Sequence, residues 1–187
     1  MKAILKYPGG KWSIANWIIS YFPEHHSYLE PFFGSGAVLF NKPRSNIETV
    51  NDLDGNVVNL FEWIKKDPER LAHEIYNTPY ASRDWVNLPD KIMQSAERLR
   101  GVQIENSPAT DLMERFNYEN VLVYLDPPYM PEVRHGKQYR CEMYDRKSHA
   151  DMLEVAKAHK GPVLISGYET DLYKDMLKGW YRKEAVC

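Results

Sequence analysis

Apolar positions recur along this chain with two alternating periods, one helical and one extended. Ile14, Ala15, Trp17, Ile18, Tyr21 and Phe22 fall on one helical face, opening after the Pro8-Gly9-Gly10 turn. "SYLEPFFGSGAVLF" predicts a short strand, a glycine turn and a helix, and "NIETVND" with "GNVVNLFEWIKK" a second strand and helix. From Pro68 to Gly101 the pattern predicts one or two helices, broken at Pro79 and Pro89. "GVQIEN" is a third strand, followed by a helix to about Phe116 with Ser107 as cap and Pro108 at its first position. "NVLVYLD" is apolar enough to be a central strand covered on both faces. Ser148 and Asp151 form the pattern of a capping box for "HADMLEVAKAHK". "GPVLIS", "DLYKDMLK" ending before Gly179, and "WYRKEAV" complete the series as strand, helix and strand.

Strands alternating with helices imply an α/β domain with a mostly parallel sheet. In such sheets ligands bind beyond the carboxyl ends of the strands. The glycine turn and the segment Asp126-Pro127-Pro128-Tyr129 both fall at such ends.

Bulk properties narrow the partners. With 187 residues, 43% hydrophobic and 27% charged, the chain has the material for one domain with a core. The net charge of −2 supplies no global field for a polyanion, so nucleic acid would be held by a local patch. Cys141 and Cys187 have no metal-ligand spacing, no secretory signal precedes them, and no apolar run reaches a bilayer's thickness. A cytoplasmic protein is expected.

Candidate chemistry gathers at four places. The turn Phe32-x-Gly34-x-Gly36 lets backbone approach a ligand, although glycines there often serve packing alone. Asp52 and Asp54 lie after the second strand, where dinucleotide folds place a ribose-binding acid; Asp54 suits a helix cap and Asp52 the ribose. "KYPGGK" joins an aromatic, a flexible turn and a lysine. The sharpest signal is Asp126-Pro127-Pro128-Tyr129, since each proline restricts itself and the residue before it. An amino group there can donate to the Asp126 carboxylate and the Pro127 carbonyl while Tyr129 stacks on a ring. A strand merely stopped by prolines explains neither the acid nor the aromatic. Arg134, Lys137 and Arg140 follow, either as a solvated loop or as phosphate contacts. His25 and His26 have no partner at ligand spacing and are expected at the surface.

"KYPGGK", "EPFFGSG", "VNDLDGN", "VYLDPPY" and "PVLISGYET" stand in the order seen in Dam-type DNA adenine-N6 methyltransferases, and from residue 6 to about 170 the chain resembles that family. The resemblance implies a Rossmann-like methyltransferase fold, with residues 1–66 and 102–187 catalytic and 67–101 a reduced helical insertion where the family carries target recognition. It implies S-adenosylmethionine as methyl donor, with Tyr7, Gly10, Lys11, Phe32, Gly34, Gly36, Asp52 and Asp126 around it and Lys11 near its carboxylate. Glu105 and Asn106 would stand near its adenine. Asp126, Pro127, Pro128 and Tyr129 would hold the target amine of a flipped base, with Tyr144 as a second ring, and no metal is required. The implied partner is duplex DNA, alongside a homodimer or a restriction-modification partner. Two other amine targets use similar chemistry: cytosine N4 in DNA, and guanine N2 in ribosomal RNA, against which "KYPGGK" and "VNDLDGN" argue. A shortened relative that binds cofactor or DNA without turnover is the non-enzyme alternative.

Overall fold

The computed structural model describes residues 3–78, 87–130, 143 and 145–185. Five parallel strands form one sheet: β1 (Ser27–Glu30), β2 (Ile47–Asn51), β3 (Gln103–Glu105), β4 (Val121–Leu125) and β5 (Val163–Ile165). Their spatial order is β3-β2-β1-β4-β5. The order reverses between β1 and β4, and the crevice at such a switch point is where doubly wound sheets bind ligands.

Side-chain alternation explains why both faces need cover. Tyr28 of β1 with Leu122 and Tyr124 of β4 enters one core, while Leu29 with Val121, Val123 and Leu125 enters the other. The first core is closed by α1 (Ala15–Ile19), α2 (Gly55–Lys66), α3 (Pro68–Asn77) and α4 (Leu88–Leu99). The second is closed by α5 (Ala109–Arg115), α6 (Arg146–Ala158) and α7 (Asp171–Met176). Within α4, Ile92 and Leu99 are almost fully buried in the same core as Phe61 of α2, so α3 and α4 pack on the sheet's helical layer. No helix among the described residues is long and apolar enough to cross a membrane.

Several local expectations change. The glycine turn leads into consecutive turns, with Phe40 N–H bonded to Gly36 O and Lys42 N–H to Val38 O, instead of a regular helix. Pro108 is the cap residue of α5, and the Ser107 N–H and carbonyl are both bonded by the Asn51 side chain. Asp145, not Ser148, caps α6: its carboxylate accepts the Ser148 N–H, which places Ser148 inside the first turn. Pro89 does not break a helix; it lies in the first turn of α4, where its missing N–H costs nothing. Residues 181–185 pair with no strand.

Candidate active site

Four strand ends deliver the site. Glu30 ends β1, Asp52 follows β2, Asp126 follows β4 and Ser166 follows β5. The N-terminal segment then folds across them. Gly9 and Gly10 make its turn, with Gly10 N–H donating to Tyr7 O. The Tyr7 ring lies on Gly34, where a Cβ would come within 2.9 Å of it. Trp12 Nε1 donates to Ser35 Oγ at 2.9 Å, and its ring stacks at 6.3 Å on Phe40. The motif around Lys11 is thereby seated on the glycine turn.

Lys11 reaches from this segment to Asp126. Its Nζ lies 2.7 Å from each Asp126 carboxylate oxygen and 2.7 Å from Gly9 O. It also stands 4.9 Å over the Tyr129 ring. Ser166 Oγ donates to Asp126 Oδ1 at 2.8 Å, and Tyr124 Oη is 2.9 Å from Ser166 Oγ. Burial pushes the Asp126 carboxyl above its usual range, against the opposing pull of Lys11 and the Ser166 hydroxyl. Nearby Glu30 is 2% exposed and accepts the Tyr28 hydroxyl at 2.8 Å and the Leu39 backbone N–H. Burial, aided by the Asp126 charge and only partly offset by those bonds and by Lys42, pushes Glu30 up to about 8. Asp52 Oδ1 accepts from Asp54 N–H and Oδ2 from Gly34 N–H, at 2.9 and 2.7 Å. Burial raises its carboxyl against these bonds.

Tyr7, Gly10, Lys11, Phe32, Gly34, Asp52 and Asp126 thus line one cleft, together with Glu30, Leu53, Tyr124 and Pro128. The cleft encloses about 80 Å³, and the Lys11 side chain crosses to Asp126 at its wall. A broader groove of about 660 Å³ runs along the N-terminal segment from Ala3 to Trp12, shares Tyr7, Pro8 and Gly10 with the cleft, and has no acid among its described lining residues. Gly36 stands apart from the cleft lining: at φ 69° its Cα faces Phe33 and Phe40, which a Cβ would strike at 2.6 Å. Asp54 caps α2 through the Asn56 N–H. Asn106 does not line the cleft; it braces the acid turn by donating to Asp52 O at 2.7 Å, and Glu105 pairs with Arg115 at 2.8 Å. His26 is exposed, and His25 is half-buried on Pro23 O and Ser45 Oγ. Arg134, Lys137, Arg140 and Tyr144 lie outside the described residues. Sequence reasoning gave no site role to Glu30, Tyr124, Ser166 or Tyr168, whose exposed ring meets Tyr129 edge-on at 4.8 Å. "PVLISGYET" was the available signal for Ser166 and Tyr168, because it too ends a strand.

A parallel sheet in this order, with an acid, two prolines and an aromatic at its switch point, defines a Rossmann-like α/β domain. The family model for D12 class N6 adenine-specific DNA methyltransferases matches residues 7–88 and 76–186, and the chain belongs to that family. The DNA adenine methylase of Vibrio cholerae O1 El Tor is 32% identical over 73 residues, covering 39% of this chain and 26% of that protein. The DNA adenine methylase of Salmonella typhi is 22% identical over 240 residues, covering 97% of this chain and 84% of its own. The chain therefore spans about a quarter of the Vibrio relative. The Salmonella alignment is longer than this whole chain, so that relative carries residues with no counterpart here. Among solved structures, yhhF of Escherichia coli, described as a methyltransferase, superposes with TM-score 0.45 at 13% identity over 87% of this chain and 81% of its own. Methyltransferases of this family and fold use S-adenosylmethionine in general.

Proposed function

We propose that this protein transfers a methyl group from S-adenosylmethionine to the N6 amine of adenine in DNA. The observation that carries the reading is the Lys11 nitrogen, held by hydrogen bonds to both Asp126 oxygens above the Tyr129 ring. It marks a place built to hold a hydrogen-bearing nitrogen over an aromatic face.

The cleft suits the donor. With Glu30 protonated at neutral pH, Asp52 and Asp126 against Lys11 leave one net negative charge for a cationic sulfonium. Asp52 keeps acceptor capacity on each oxygen for ribose hydroxyls, since a carboxylate has about four lone-pair sites. Lys11 would hold the donor's carboxylate, and Phe32 and Leu53 supply apolar wall. Bound there, S-adenosylmethionine supplies an electrophilic methyl group on sulfur.

The chain's residues do the rest. Adenine N6 is a weak nucleophile because its lone pair is delocalised into the ring. Asp126 accepts one amine hydrogen and the proline-locked Pro127 carbonyl the other, which concentrates electron density on nitrogen. Fixed acceptors of this kind are each worth roughly 10²–10³ in rate. Burial raises the proton affinity of Asp126, so its carboxylate is suited to take the proton nitrogen releases. Tyr129 stacks on the flipped base and offsets part of the few kcal/mol that flipping costs. Lys11 leaves Asp126 as the amine arrives. Arg134, Lys137 and Arg140, which follow this tip in the sequence, supply phosphate contacts. Residues 67–101 stand as a reduced helical insertion in the place of target recognition.

Incubation with methyl-labelled S-adenosylmethionine and duplex DNA, single-stranded DNA or ribosomal RNA tests the reading. Label is expected in N6-methyladenine; label in N2-methylguanine of RNA or N4-methylcytosine, or in no base at all, overturns it.

A further inference from the structure

We infer that Ser166 is a positioning residue that fixes the Asp126 carboxylate with Oδ1 turned to the sheet and Oδ2 left for the target amine. The inference deepens the methyl-transfer reading and rests on it.

Ser166 and Lys11 hold the same carboxylate by different means. Ser166 N–H donates to Leu125 O at 2.8 Å, continuing the β4–β5 ladder one residue past its end. The Ser166 side chain is therefore set by the sheet directly beside Asp126. Its single hydroxyl hydrogen goes to Oδ1, so the 2.9 Å contact with Tyr124 is donated by the phenol. Tyr124 is 1% exposed, and burial keeps its hydroxyl protonated and able to donate. Tyr124, Ser166 and Asp126 form a directed relay of hydrogen bonds whose members come from adjacent parallel strands. Lys11, by contrast, hangs from a glycine turn and is the group that the amine must displace.

Once Lys11 withdraws, the hydroxyl is the remaining protein donor to this carboxylate among the described residues. Among the described residues, the other titratable groups facing Asp126 are Glu30 from β1, Tyr124 from β4 and Tyr173 from α7, with Tyr129 beneath Lys11. None of these bears a positive charge. Ser166 thus does two things at the moment of transfer: it orients the acceptor, and it favours the ionised form.

The test compares Ser166→Ala and Ser166→Thr with the unmodified protein. For Ser166→Ala, kcat should fall roughly 10–100-fold, the size of one hydrogen bond to a charged group. KM for DNA should change by less than about threefold. The acidic limb of the kcat–pH profile should move up by roughly one pH unit, because the bond that favours the anion is gone. Ser166→Thr keeps the hydroxyl and should restore most of the rate and the original limb. Carbon-13 titration of the Asp126 carboxyl, assigned by its loss in Asp126→Asn, should show the same upward move in cofactor-free protein. Should Ser166→Ala not fold, Tyr124→Phe removes the relay's outer donor and should shift the limb less, in the same direction. An active unmodified protein whose Ser166→Ala variant retains its rate, limb and carboxyl titration overturns the inference. An unmodified protein with no transfer to any nucleic acid overturns the underlying reading instead, while the titration still decides whether Ser166 governs the carboxylate.

Discussion

Two lysine–carboxylate pairs stand at opposite ends of the parallel sheet, and they are built differently. At the amino end, Glu48 accepts Lys42 Nζ, Arg98 Nη2 and Ser45 N–H on Oε1 and Arg98 Nη1 on Oε2. Burial alone would raise Glu48, but Arg98, Lys42 and the Ser45 amide outweigh it and hold the carboxyl below its usual range. At the carboxyl end, Asp126 has one cation and one hydroxyl, and burial wins. Glu30 has a phenol and one backbone N–H, with no cation bonded to it, and is pushed up to about 8. A saturated carboxylate is a brace; here it ties β2 to α4 and to the loop after the glycine turn. An undersupplied one keeps capacity for an incoming donor. Among the described residues, the acid held by two cations stands where the sheet closes, and acids held by one cation or none stand where it opens.

The widest separation should come from removing each acid in turn. Glu48→Gln leaves Lys42 and Arg98 buried and unpaired, and should cost about 3–5 kcal/mol of stability in urea denaturation, with any residual folded protein still active. Asp126→Asn should do the reverse: methyl transfer falls roughly 10²–10³-fold while the denaturation midpoint hardly moves. Equal effects of both on stability would erase the distinction.

Glu30 sharpens the contrast through pH. Its folded value is raised, so its contribution to stability is complete below the unfolded value and is lost as pH rises toward about 8. Thermal unfolding between pH 5 and 8.5 should show a decline of roughly 2–4 kcal/mol, largely absent in Glu30→Gln. Gly34→Ala comes last. Its φ of 49° and the Tyr7 ring oppose any side chain, and the variant should lose about 1–3 kcal/mol and bind S-adenosylhomocysteine less tightly by calorimetry.

The chain shows its sheet plainly because β4 is buried at every residue and its neighbours alternate between two cores, so apolar runs mark strands directly. Asp52 and Asp126 were legible for the same reason: each follows a recognisable strand. Lys11 on Asp126 was not, since 115 residues separate them and the pairing exists only when the N-terminal turn seats on Gly34. For Ser166 the signal was only its place at the end of the strand in "PVLISGYET", and a serine there acquires its meaning from the strand beside it. Gly36 shows how one residue type serves two purposes, facing the Phe33–Phe40 core while Gly34 two residues earlier faces Tyr7. Cap assignments slipped because Ser148 and Asp145 both suit an N-terminus and only backbone geometry selects between them.

The most direct measurement is the structure of the protein with S-adenosylhomocysteine and a methylatable duplex. The expected result is a flipped adenine over Tyr129, its N6 within hydrogen-bond distance of Asp126 Oδ2 and the Pro127 carbonyl, with Lys11 drawn off the acid. A bound duplex whose adenine stays stacked, or enters while Lys11 still grips both Asp126 oxygens, would contradict the account.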